Sequence, residues 1–149
     1  MNDTKYTQQP NALENGPWDE LYVLTGHWKS DLEFYSDDLI FLHHLVDKYF
    51  MWITKSENLS LVREIKKELY ELNKTNKDLL EKVKKHVIQL GRLVEDPNHK
   101  DAGIIKTEHE HLEEEMSDFV KSFRKNRKEV FKITEYVIDS EHLEQLMQS

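Results

Sequence analysis

Residues 17–54 read PWDELYVLTGHWKSDLEFYSDDLIFLHHLVDKYFMWIT. Along this stretch Trp18, Leu21, Thr25, Trp28, Leu32, Tyr35, Leu39, Leu42, Val46, Tyr49 and Ile53 follow one another at alternating steps of three and four. That spacing puts them on one face of an α-helix. The register passes through Gly26 without a slip. Pro17 suits a first helical position, and Asp19 and Glu20 suit the positive end of the helix dipole. A rival start exists at Ser30-Asp31-Leu32-Glu33, a good capping box.

The other two segments decide between these starts. One carries Val62, Leu69, Asn76, Val83 and Leu90 on one seam position, with Ile65, Leu72, Leu79, His86 and Leu93 on the other; eight of the ten are apolar. The next carries Ile105, Leu112, Phe119, Asn126 and Ile133, with His109, Met116, Phe123, Val130 and Val137; again eight of ten are apolar. Breaks fall at Thr54-Lys55-Ser56-Glu57-Asn58, where Ser56 or Asn58 suits a helix cap, and at Asp96-Pro97-Asn98-His99-Lys100-Asp101-Ala102-Gly103. Helices over about 17–54, 58–95 and 103–139 would match in length, each spanning roughly 57 Å. A start at Ser30 would leave a third of the bundle unpartnered. The expected fold is all-α: an elongated, coiled-coil-like, antiparallel three-helix bundle. Residues 1–16, polar and without a period, read as a flexible arm. Residues 140–149 read as a short fourth helix or a frayed tail. Alanine occurs at 12 and 102 alone, so large side chains must set the helix spacing.

Composition limits function. The chain has 149 residues, enough for one domain with a moderate core. Charged residues reach 34%, yet 6 Phe, 6 Tyr and 3 Trp supply burial material that a disordered chain lacks. A net charge of −8 opposes binding to nucleic acid or to an anionic membrane. The run Lys121-Ser122-Phe123-Arg124-Lys125-Asn126-Arg127-Lys128 goes against that sign and reads as a solvated helix face. There is no cysteine, which excludes disulfides and thiolate metal sites. With no apolar leader and no run near 18 apolar residues, the expected location is the cytoplasm.

Residues 107–115, TEHEHLEEE, suggest half of a metal site. Di-iron bundles need Glu-x-x-His on two helices; this chain has it once, at Glu108–His111. His109 falls on the seam, and His111, two residues on, points about 200° away around the helix. His43 and His44 sit at the margin and outside of their helix. The cluster therefore reduces to a smaller group. With the second turn centred near residue 98, antiparallel counting brings His86 within about one helical turn of His109, with His27 close by and Glu113 one turn beyond His109. His27, His86, His109 and Glu113 form the candidate site for iron, manganese or zinc. The competing reading is a hydrogen-bonded core pair, or a pH-sensitive packing element. The same counting sets Asn76 level with Tyr35, a polar pair that would fix register. Asn126 is expected to do likewise or to mark a local break.

A second apolar stripe lies off the seam of the first helix: Phe34, Phe41, Leu45 and Trp52. A three-helix bundle does not need it. The C-terminal Leu143, Leu146 and Met147 could cover it, as could Tyr6 and Leu13 of the arm, or the aromatics could sit half exposed. The other reading is a protein interface, most simply a two-fold homodimer through helix one. No phosphate loop, nucleophile elbow, dinucleotide fingerprint or His-Glu-x-x-His occurs, and carboxylate pairs are too numerous to single one out. The expectation is a non-enzymatic, cofactor-free interaction or scaffolding protein that associates with itself. The metal-binding bundle is the alternative. Membrane association through the stripe ranks third, because the polar face lacks a basic excess.

Overall fold

The computed structural model describes residues 18–143 and 145. Three α-helices follow in order: α1 (Trp18–Phe50), α2 (Ser56–Glu95) and α3 (Ala102–Glu141). No strand occurs among the described residues. The fold class is all-α, three helices packed on one another, as the periodicity predicts. The arm expected over 1–16, Pro17 and residues 144 and 146–149 lie outside the described residues.

The three-and-four frame accounts for nearly all of the buried side chains. In α1 it buries Leu21 through Val46, with Trp18 and Tyr49 half-buried at the ends. In α2 every seam residue from Val62 to Leu93 is buried except the half-buried Leu72. In α3 the buried set runs from Ile105 to Val137, with Ile133 half-buried. Helix α1 continues through Ser30 without interruption, so the rival capping box is unused. It also continues through Gly26, where an added Cβ would meet nothing within 4 Å.

Helix α1 ends at Phe50, four residues earlier than the spacing predicts. The reason is non-local. Trp52 and Ile53 still donate to the carbonyls of Tyr49 and Phe50, at 3.1 and 3.3 Å, in tightened three-residue steps. The next two N–H groups, of Thr54 and Lys55, turn instead to the Glu141 carboxylate. The other helix bounds also differ from expectation. Helix α2 starts at Ser56, and its first carbonyl acceptor is Lys55, which takes the Leu59 N–H at 3.2 Å. Helix α3 starts at Ala102 and reaches Glu141. Thr107 lies inside it and donates its hydroxyl back to the Gly103 carbonyl at 3.2 Å.

The packed chain divides into two compact units, Met1–Tyr35 with Thr75–Val120, and Ser36–Lys74 with Lys121–Ser149. In the described part of the first unit, Leu21, Leu90, Leu93 and Ile105 form a closed apolar cluster against Trp18 and Ala102. Stacking of Trp28 on His109 and contact of Tyr35 with Phe119 show that α1 and α3 run parallel there. Lys82 pairs with Glu115 and His86 meets His109, so α2 runs antiparallel to α3. In the second unit, Asn58 meets Ser140, and Glu68 meets Asn126, which gives the same opposite sense. Asp47 pairs there with Lys66 at 2.8 Å and Asp38 with Arg127 at 2.8 Å.

Helix α3 closes on a left-handed residue, His142, with φ of 57°. A residue in that conformation just past the last helical turn is a common helix stop. The turn sends Leu143 into a fully buried position. Gln145 then donates its N–H to the His142 carbonyl at 3.2 Å.

Candidate functional site

The first unit holds the histidine pair. His86 on α2 and His109 on α3 are both fully buried. His86 Nε2 lies 3.0 Å from His109 Nδ1, a hydrogen-bond distance. The ring of Trp28, from α1, stacks on His109 with centroids 4.9 Å apart and planes 17° from parallel. His86 Nδ1 lies 3.8 Å from a Glu108 carboxylate oxygen. Burial pushes both imidazoles down from an ordinary 6.5 to about 4; Gln89 pulls His86 slightly upward, and the adjacent His86 lowers His109 further. Both rings are therefore neutral at pH 7, and one donates to the other.

The tautomers follow from the surroundings. If His109 Nδ1–H donates to His86 Nε2, the proton on His86 Nδ1 lies on the side of the Glu108 carboxylate, 3.8 Å away, though without a hydrogen bond. His109 Nε2, which has no hydrogen-bond partner among the described residues, is then a bare acceptor. The opposite arrangement would move the unmet N–H to His109 and aim a His86 lone pair at the carboxylate. The first arrangement costs less.

The four metal-candidate residues are not gathered into one site. His27 is exposed, and Glu113 is half-buried one turn beyond His109. Among the described residues no group of three His, Asp or Glu side chains is placed to hold a metal ion. The pair itself is spaced for a hydrogen bond. Two imidazole nitrogens on one tetrahedral zinc would stand about 3.3 Å apart, against the 3.0 Å found. His43 is half-buried, and His44 and His111 are exposed.

Asn76 is fully buried in the same unit and donates from Nδ2 to the Leu32 carbonyl at 3.0 Å. That acceptor is a backbone group three residues before Tyr35. The Tyr35 ring itself packs against Phe119, with centroids 5.9 Å apart. Asn126, in the second unit, donates to Glu68 at 2.9 Å, and α3 runs unbroken past it.

The interface candidates are exposed or half-buried. Phe34, in the first unit, is 64% exposed and sets an edge against the Tyr35 ring. In the second unit Phe41 is 51% exposed and Leu45 half-buried; Trp52, in the turn after α1, is 40% exposed. Ile40 and Met51 add further open apolar surface, at 53% and 84%. Other rings of this unit are partly covered by cations: Lys66 lies 4.7 Å over Phe50, and Arg127 lies 4.9 Å over Phe131.

Sequence reasoning misses one site, the seat of Glu141. Its side chain takes the Thr54 N–H at 3.2 Å, the Thr54 hydroxyl at 2.8 Å, the Lys55 N–H at 2.9 Å and the Asn58 amide at 2.8 Å. A carboxylate at the start of α2 also meets the positive end of its dipole. The Asn58 amide bond, followed by the bonds from Lys55 and Thr54, holds the Glu141 carboxyl down at about 2. Antiparallel counting about residue 98 sets 141 level with 55, a signal that was present in the sequence.

No helix among the described residues is long and apolar enough to cross a membrane. Compared with known proteins, the chain matches no family model, no curated protein and no solved structure.

Proposed function

We propose that this chain is a non-enzymatic helical-bundle protein of the cytoplasm that works by protein–protein interaction or scaffolding and pairs with itself through α1. The supporting observation is the open apolar surface of the second unit around Phe41. Ile40, Phe41, Met51 and Trp52 lie off the seam and stay exposed. Large apolar side chains left in water in one region mark interaction surfaces more often than chance. Aromatic residues and Met are also the side chains enriched at such surfaces. A two-fold pairing would let the same residues serve both partners.

The test is Phe41→Asp. Phe41 contributes nothing to the seam, so the variant should keep its helical circular dichroism and its melting temperature within a few degrees. Light scattering should show the wild type as a dimer and the variant as a monomer. An unchanged dimer in the variant would move the interface elsewhere.

A further inference from the structure

We propose that the His86–His109 contact is a proton-operated latch in the first unit, which parts α2 from α3 there as protons are added. Two neutral imidazoles carry two N–H groups, and one of them forms the 3.0 Å bond. A third proton leaves that bond in place but puts a cation in a site with no exposure to water. The Glu108 carboxylate stands 3.8 Å from His86 Nδ1, beyond hydrogen-bond reach. A fourth proton removes the last acceptor. Two N–H groups then face each other where one donor and one acceptor stood, and the contact cannot persist.

Groups from all three helices stand around the pair. From α1, His109 meets the flat face of the Trp28 indole. The buried Nε1 of that ring is a donor only, and so cannot receive a proton from a histidine. From α2 comes the neutral Gln89. From α3 comes Glu108. The carboxylates next along their helices are Asp31, three residues beyond Trp28, and Glu113, four beyond His109.

Glu108 is partly exposed and lines an open groove of about 590 Å³ with Lys82, Gly103, Ile104, His111 and Leu112, so its carboxylate stays within reach of solvent while both imidazoles are buried.

The test uses the full chain. Histidine side-chain resonances are followed by NMR from about pH 8 to 3.5, and amide protection is measured at residues 83–90 and 105–113. His86→Gln/His109→Asn serves as the comparison, because the two amides can keep a hydrogen bond at the same atoms without titrating. The expected result is two histidines that hold their neutral positions to below about pH 5. Protection at both stretches should fall about tenfold or more between pH 7 and 4.5 in the wild type. The variant should hold its protection over that range. Midpoints near 6.5 for His86 and His109 would overturn the latch, and so would equal loss of protection in the variant. Should the variant fail to fold, the wild-type midpoints and protection decide alone.

Discussion

His86 Nε2 stands 3.0 Å from His109 Nδ1, and neither residue has surface open to water. A buried pair of this kind gives unequal answers to single and double substitution. His86→Leu leaves the His109 donor unmet, and His109→Leu leaves the His86 acceptor unmet. Each single change should cost about 1–3 kcal/mol. The double change removes both groups and fills the space with apolar atoms. It should equal or exceed the wild type in stability at pH 7. Urea unfolding of the four proteins gives the coupling directly.

The same pair sets a pH window. Below 6.5 the unfolded chain takes up protons that the folded imidazoles refuse until about 4. Stability therefore falls as pH drops from 6.5 to 4 and levels off below. Each imidazole contributes at most on the order of 3 kcal/mol to that fall. Chemical denaturation at successive pH values should show the slope in the wild type and not in the double leucine variant.

Glu141 answers in a lower window. Its folded carboxyl is held near 2 against an ordinary 4.5, so its stabilising bonds are complete above 4.5 and are lost as pH falls toward 2. Glu141→Gln keeps the shape but cannot offer a charged acceptor to the Thr54 and Lys55 N–H groups. It should lower the melting temperature at pH 7 by a few degrees. It should also flatten the acid limb below 4.5 without touching the limb between 6.5 and 4.

Two backbone positions invite opposite exchanges. Gly26 is helical with free space at its Cβ, so Gly26→Ala should stabilise by about 1 kcal/mol. His142 is exposed at a φ of 57°, so His142→Gly should stabilise by up to about 1 kcal/mol. A lower melting temperature for either variant would show that the local conformation differs from the one described.

The fold was legible because its signal is repeated. Each turn of each helix restates the seam, and a single misfit such as Thr25, Asn76 or His109 does not hide the frame. The meeting of His86 with His109 was legible for the same reason, since antiparallel counting about residue 98 needs only the turn and the period. What counting could not supply was the partner of each polar atom. Asn76 is level with Tyr35, yet its amide reaches the Leu32 carbonyl. His27 is near in sequence to Trp28 but lies on the wet side of α1. The end of α1 was misjudged because its cause lies 87 positions away, where Glu141 captures the Thr54 N–H. A local pattern such as the Ser30 capping box was the weakest guide, because packing of the full seam overrides a cap worth about 1 kcal/mol.

The most direct test of the account is sedimentation of the wild-type chain over a wide concentration range. Self-pairing through the Phe41 surface predicts the mass of two chains at high concentration and a return to one chain on dilution. A single chain at every concentration, up to the millimolar range, would contradict it.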